Sequence, residues 1–124
     1  RKSSISFGSD NHSGVHPQIL QALVENNSGY APSYEMDELS QNLKKYIRKN
    51  FGCHNSHIVF NGTAANVLAL GASVRSHHAV LSTDVAHLNM DECGAPEKLI
   101  GCKMFSVPHK EGKLSIRDIE THWI

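Results

Sequence analysis

The hydrophobic pattern of residues 57–82 changes its period twice, and this constrains the fold more than any other feature. Residues 57–60 form a short apolar run typical of a buried strand, residues 63–75 are rich in alanine and leucine and predict an apolar helix, and residues 79–82 predict a second strand. Strands joined by a connection of this length pair in parallel with a right-handed crossover. The segment therefore predicts one βαβ unit of an α/β protein.

Two amphipathic helices are predicted before this unit. Pro17 fits the first position of a helix that ends near residue 26. The second helix repeats an apolar residue at every fourth position, namely Leu39, Leu43 and Ile47. Residues 1–15 are polar and interrupted by glycine, so they predict an irregular, extended arm.

A third strand and a last helix are predicted after the unit. Residues 102–107 supply the strand. Ser115 and Asp118 have the spacing of a capping box, which opens a helix at Ile116. Residues 122–124 would lie inside this helix, and the first residue is Arg1 rather than methionine, so we expect the chain to be cut at both ends.

Composition argues against several classes of function. The 12 basic and 12 acidic residues cancel and form no basic stripe, so nucleic acid is not an expected partner. The longest apolar stretch, residues 67–74, is much shorter than the roughly 20 residues of a membrane-spanning helix, so no membrane partner is expected either.

The 3 cysteines are irregularly spaced, which favours reduced thiols and a cytoplasmic protein. The 9 histidines show no metal-ligand spacing, and no metal site is predicted.

Two loops are expected to share one edge of the sheet, because ligands of open α/β sheets bind beyond the carboxyl ends of the strands. The first contains Gly62, Thr63 and Ala64 at a helix start, where unpaired N–H groups and the helix dipole attract a phosphate. The second contains His87, a residue able to stack on an aromatic ring or donate a hydrogen bond to it. The open alternatives are an ordinary Asn-Gly turn with Thr63 as N-cap, and a structural histidine.

Asp91 and Glu92 form an adjacent acidic pair. Paired carboxylates are able to serve acid–base chemistry, but neighbouring residues on a helix point apart. The interpretation of Asp91 and Glu92 as two solvated charges is therefore at least as good as the interpretation as acid–base residues.

Several short motifs occur in a recognisable order. They are Ser9-Asp10-Asn11, Gly14-Val15-His16-Pro17, Tyr34-Glu35-Met36-Asp37-Glu38-Leu39, Phe51-Gly52, Asn61-Gly62-Thr63-Ala64-Ala65-Asn66, Ala86-His87 and Asp91-Glu92-Cys93-Gly94-Ala95-Pro96-Glu97. In this register, over residues 6–113, the chain resembles the N-terminal part of the low-specificity L-threonine aldolases. These belong to the aromatic amino acid β-eliminating lyase/threonine aldolase group of pyridoxal 5′-phosphate (PLP) enzymes.

The resemblance implies the fold of the PLP-dependent transferases, also called fold type I or aspartate-aminotransferase-like. Its large domain has a mostly parallel sheet with flanking helices. Residues 1–15 would be the N-terminal arm, and residues 16–124 would be the N-terminal portion of the PLP-binding large domain, here truncated. Complete family members are expected to form homodimers or homotetramers.

The resemblance also implies roles for the two sheet-edge loops. Gly62, Thr63 and Ala64 would bind the phosphate of PLP. His87 would stack on the pyridine ring and serve as the catalytic residue of this part of the chain.

Substrate contacts are implied for the residues before the βαβ unit. Ser9 would help to bind the substrate carboxylate, and Tyr34 and Asp37 fall in a segment near the active site and the subunit interface. Glu35 replaces the glycine that is usual in this segment of the family, and glycine tolerates backbone conformations that glutamate avoids. The resemblance therefore implies a turn whose backbone conformation glutamate would disfavour.

The implied reaction is the retro-aldol cleavage of 3-hydroxy amino acids such as L-threonine and L-allo-threonine to glycine and an aldehyde, with PLP as the electron acceptor. Such enzymes need a desolvated lysine that carries PLP as a Schiff base. The lysines here lie on a charged helix or in polar or glycine-bounded surroundings, and in the family this lysine follows further along the chain. We therefore expect no turnover by the chain as given. The alternatives are a related β-eliminating PLP lyase, a non-catalytic phosphate-binding α/β fragment, and an inactive relic or oligomerisation piece.

Overall fold

The computed structural model describes residues 5–122, and these divide between Ser56 and His57 into two compact units. The start of the predicted arm and the last two residues of the chain lie outside the described residues. In the part that is described, no helix is both long and apolar enough to cross a membrane.

The first unit is helical. A single 3₁₀ turn, Asp10–His12, precedes helix α1, Pro17–Asn26, and helix α2, Glu38–Phe51. Pro17 opens α1 as predicted. Its fixed φ suits the first turn of a helix, and an N–H at this position would have no intrahelical acceptor, so proline loses nothing by lacking one. Helix α2 ends at Gly52, whose φ of 68° provides the left-handed cap that glycine adopts without strain. Both helices confirm the predictions from periodicity.

The second unit alternates helices and strands. Its elements are α3 (Gly62–Ser73), β1 (Ala79–Thr83), α4 (His87–Met90), α5 (Ala95–Ile100), β2 (Lys103–Val107) and α6 (Ile116–Glu120). The predicted strands at 79–82 and 102–107 are confirmed by β1 and β2. The predicted capping box opens α6, where Asp118 Oδ2 accepts from the Ser115 N–H at 2.7 Å and Ser115 Oγ accepts from the Asp118 N–H at 3.3 Å.

The sheet of the second unit consists of β1 and β2, which pair in parallel with Ala79 opposite Lys103 and Thr83 opposite Val107. Helices α4 and α5 form the crossover between them, α4 contacting β1 and α5 contacting both β2 and α3. The buried core is small and centres on Cys102, Val107 and Pro96. The described chain is thus an α/β structure with a parallel sheet and flanking helices.

The prediction of a buried strand at residues 57–60 is wrong, and so is the pairing of that strand with β1. The segment joins no ladder of the sheet, Ile58 is exposed, and the Phe60 side chain is 97% exposed. An apolar run becomes a strand only where a neighbouring strand accepts its hydrogen bonds, and here β1 pairs with β2. The βαβ unit therefore exists one step later, as β1–α4–α5–β2.

Candidate functional site

The start of α3 has the geometry of an anion site. Asn61 is the N-cap, and its Oδ1 accepts a hydrogen bond from the Ala64 N–H at 2.8 Å. Helix geometry leaves the N–H groups of Gly62 and Thr63, at the first two helical positions, without an intrahelical partner. A Cβ placed on Gly62 would meet no atom within 4 Å, so access to this helix start is open.

This geometry corrects two details of the sequence prediction. The helix begins at Gly62 rather than Thr63, so Asn61 and not Thr63 is the N-cap. The N–H of Ala64 is engaged by the cap, which leaves Gly62 and Thr63 as the available donors of the predicted trio. A cleft of about 410 Å³ runs beside these donors, and its lining of Asn61, Thr63, Ala64, Val67, Leu68 and Leu99 is mostly apolar.

His87 lies at the start of α4, shortly after the carboxyl end of β1. Its side chain is 63% exposed, and each ring nitrogen lies near a carboxylate. Nδ1 is 3.2 Å from Asp91 Oδ2, and Nε2 is 3.5 Å from Glu92 Oε1. The ring is therefore held at both edges while much of its surface remains open.

Glu92 connects this histidine to α3. Asn66 Nδ2, from the second turn of α3, donates a 2.7 Å hydrogen bond to the same Glu92 Oε1 that faces His87. The Glu92 side chain is fully buried, and its Oε2 has no hydrogen-bond partner within the described residues. Two of the predicted site elements, the α3 start and His87, are thus brought together by one carboxylate.

The interpretation of Glu92 as a solvated charge is wrong, although Asp91 fits it, with a side chain that is 63% exposed. Both residues follow the end of α4, and only the side chain of Glu92 points inward. The signal that identifies Glu92 is Asn66, the single amide side chain in a helix that otherwise consists of small and apolar residues. A polar side chain in such a position needs a buried partner.

The predicted substrate residues belong to the first unit. Ser9 is half-buried, and its Oγ accepts from the Asn11 N–H at 3.2 Å. Tyr34 is exposed and has a φ of 60°. Asp37 is the N-cap of α2, where Oδ1 accepts from the Ser40 N–H at 2.9 Å and Oδ2 accepts from Ser40 Oγ at 2.6 Å. The hydrogen bonds from the Ser40 hydroxyl and then the Ser40 N–H hold the pKa of Asp37 below its ordinary value.

A second histidine–carboxylate pair follows the two strands. Asp84 comes directly after β1 and His109 shortly after β2, with Asp84 Oδ1 and His109 Nδ1 3.0 Å apart. The Asp84 N–H donates to Val107 O at 2.9 Å, which ties the pair to the sheet edge. Sequence reasoning missed this pair, because its proximity depends on the parallel register of β1 and β2. Among residues 5–122 no group of three or more His, Cys, Asp or Glu side chains is arranged to hold a metal ion.

Comparison with known proteins identifies the family of the chain. The model of the beta-eliminating lyase family matches residues 6–123. The chain is 42% identical over 118 residues to the low specificity L-threonine aldolase of Pseudomonas aeruginosa, covering 91% of this chain and 34% of that protein. It is 38% identical over 121 residues to the low specificity L-threonine aldolase of a Pseudomonas species, covering 94% of this chain and 35% of the relative.

A solved structure of Leishmania major threonine aldolase superimposes with a TM-score of 0.80 at 29% identity, covering 88% of this chain and 32% of that one. The chain thus spans about a third of the length of the curated relatives it matches. The resemblance drawn from the motifs is confirmed, as is the α/β fold of the N-terminal part of the fold type I enzymes. The chain belongs to the beta-eliminating lyase family of PLP-dependent enzymes.

Proposed function

We propose that the protein containing this chain is a PLP-dependent aldehyde-lyase of amino acid metabolism. It cleaves L-threonine- and L-allo-threonine-like 3-hydroxy amino acids to glycine and an aldehyde. The observation that carries the proposal is the link from the α3 start to His87 through Glu92, because it joins an anion site to an exposed aromatic ring. The naming of both Pseudomonas relatives as low specificity L-threonine aldolases supports the choice of reaction.

The described residues fit PLP. Gly62 and Thr63 offer backbone N–H groups to a phosphate dianion at a helix N-terminus, and the cleft beside them has an apolar lining suited to a planar ring. His87 offers an exposed ring with both edges held. The buried Glu92 Oε2 is an unsatisfied polar atom of the kind that marks a functional site.

In this proposal each residue has a distinct task. The N–H groups of Gly62 and Thr63, and the start of the helix that carries Ala64, bind the phosphate. His87 would stack on the pyridine ring of PLP and would exclude water from that face. When bound, PLP supplies the electron sink for cleavage of the Cα–Cβ bond.

Substrate binding is proposed for the first unit. Ser9 helps to bind the substrate carboxylate, with Tyr34 and Asp37 contributing to the same region. Because both carboxylate oxygens of Asp37 accept hydrogen bonds from Ser40, its contribution is to cap the start of α2 beside the Tyr34 turn.

A related β-eliminating PLP lyase is the second candidate, and the description of the matching family model favours it. An assay of the full-length protein distinguishes the two. Glycine and acetaldehyde from L-threonine are the expected products, whereas pyruvate and ammonia from L-serine would support β-elimination. A full-length protein that binds PLP but forms neither pair of products would contradict both candidate functions.

We further propose a cytoplasmic homodimer or homotetramer. The three cysteines are free, which suits a reducing compartment. Light scattering of the full-length protein after size-exclusion chromatography tests the oligomeric state, and a monomer at micromolar concentration would contradict it.

A further inference from the structure

The carboxylate of Glu92 is buried in a way that stability alone does not explain. Oε1 accepts from Asn66 Nδ2 at 2.7 Å and faces His87 Nε2 at 3.5 Å, whereas Oε2 has no partner among the described residues. Removing a carboxylate from water is costly, and a buried pair often contributes less than the desolvation that it requires. A half-satisfied buried carboxylate is therefore best explained by what it holds in place.

One of the groups it holds is the ring of His87. Asp91, the C-cap residue of α4, lies at the other ring nitrogen, where its exposed carboxylate is hydrogen-bonded to Nδ1 at 3.2 Å and is screened by solvent. The side chain of Glu92, in contrast, is fully enclosed. The buried carboxylate therefore gives Nε2 a fixed charged neighbour at 3.5 Å that solvent does not screen.

The other group it holds is α3. Asn66 lies about one turn after the available N–H groups of Gly62 and Thr63, on the same rigid helix. Through Oε1, the distance between this helix start and the His87 ring becomes fixed. A ligand that carries a phosphate at a set distance from an aromatic ring requires such a fixed spacing, because misplacement by about 1 Å is enough to weaken binding and catalysis strongly.

We propose that Glu92 is a positioning residue that sets the His87 ring relative to the phosphate-binding start of α3. The inference rests on the proposed function, since the ligand that needs this spacing is PLP. Glu92 acts through His87 and Asn66 rather than on the reacting atoms.

The first experiment needs no cofactor. In full-length protein labelled with ¹⁵N-histidine, the ring signals of His87 are assigned by their loss in His87→Asn. Glu92→Gln is expected to shift Nε2 more than Nδ1, Asp91→Asn is expected to do the reverse, and Glu97→Gln, a matched exposed carboxylate on α5, is expected to move neither. An unchanged Nε2 signal in folded Glu92→Gln would overturn the proposal.

The second experiment measures PLP affinity by fluorescence titration. Glu92→Gln is expected to weaken affinity about tenfold or more, as is typical when a residue that orients a ligand-binding histidine is changed. In protein that already carries His87→Asn, Glu92→Gln is expected to change PLP affinity less than twofold, because the histidine through which Glu92 acts is absent. Equal effects of Glu92→Gln in both backgrounds would overturn the positioning role.

Asn66→Ala tests the same proposal if the Glu92→Gln variant does not fold. It breaks the bridge at α3 but leaves Glu92 beside His87, so PLP affinity is expected to fall while the Nε2 signal persists. Unchanged affinity would overturn the bridge. Wild-type protein that binds no PLP would instead overturn the proposed function, and the ¹⁵N experiment would still report on the Glu92–His87 contact.

Discussion

At the scale of the residue, Glu35 shows how a side chain is kept in a conformation typical of glycine. Tyr34 and Glu35 both have φ of 60°, a left-handed conformation that costs a non-glycine residue roughly 1–2 kcal/mol. Glu35 Oε2 lies 2.6 Å from Lys44 Nζ, and Glu35 O accepts from Gln41 Nε2 at 2.7 Å. Contacts with α2 therefore hold the turn, although the family's usual glycine is absent.

This balance predicts different effects of two substitutions at Glu35. Glu35→Ala removes the ion pair and keeps the strain, whereas Glu35→Gly removes the ion pair and relieves the strain. We expect the glycine variant to be more stable than the alanine variant by about 1 kcal/mol in urea unfolding. Lys44→Ala is the control for the ion pair alone, and an alanine variant at least as stable as the glycine variant would contradict the account.

Asp37 predicts a pH dependence of α2. Its pKa is lowered by the Ser40 hydrogen bonds from the ordinary value of 3.8, so the folded state favours the charged form. The stabilisation is present above the unfolded pKa and is lost as pH falls through the folded pKa. Circular dichroism between about pH 5 and pH 2 should show a loss of helix that is weaker in Asp37→Asn, which caps without titrating. Identical acid transitions in the two proteins would contradict this role.

At the scale of the element, the start of α3 combines a structural cap with an anion site. Asn61 satisfies the Ala64 N–H, while the N–H groups of Gly62 and Thr63 are left for a ligand. Both tasks use the same helix end, but they respond differently to charge. The helix dipole favours a negative side chain at the cap, and the same charge repels a phosphate.

Substitution of Asn61 separates these two tasks. Asn61→Asp should keep the cap and the thermal stability of the full-length protein, yet weaken PLP binding. Asn61→Ala should lose the cap and about 1 kcal/mol of stability. Thermal unfolding and PLP titration check the pair, and an aspartate variant that binds PLP as tightly as wild type would argue against a phosphate at this helix end.

At the scale of the whole molecule, the small core contrasts with many exposed apolar side chains. Cys102 and Val107 are buried, whereas Phe7, Phe60, Leu68 and Leu99 are exposed. Apolar clefts line one side of α3 where it meets α5. Exposed apolar surfaces of this kind favour association with other protein surfaces.

We therefore expect the isolated 124-residue chain to aggregate or to dissolve poorly. The apolar surface and the unpaired edges of the two-stranded sheet favour self-association. Light scattering and binding of a hydrophobic dye test this. A monodisperse sample that unfolds cooperatively on heating would contradict it.

The isolated chain is also expected to lack turnover. Its described lysines are exposed apart from Lys44, which is half-buried and paired with Glu35, so none has the desolvated setting of a Schiff-base lysine. Borohydride reduction in the presence of PLP should label no single lysine. One defined adduct together with aldehyde release from threonine would overturn this expectation.

The sequence by itself determined helices α1, α2, α3 and α6, strands β1 and β2, the Asn-Gly turn that precedes α3, and the family. These depend on local periodicity, on capping and turn chemistry, and on motifs in a fixed order, all of which are written along the chain. Only the tertiary structure decided that residues 57–60 form no strand, that Glu92 is buried between Asn66 and His87, and that Asp84 meets His109. Each of these depends on which distant segment supplies the partner for a hydrogen bond or a charge, and local sequence does not encode that choice.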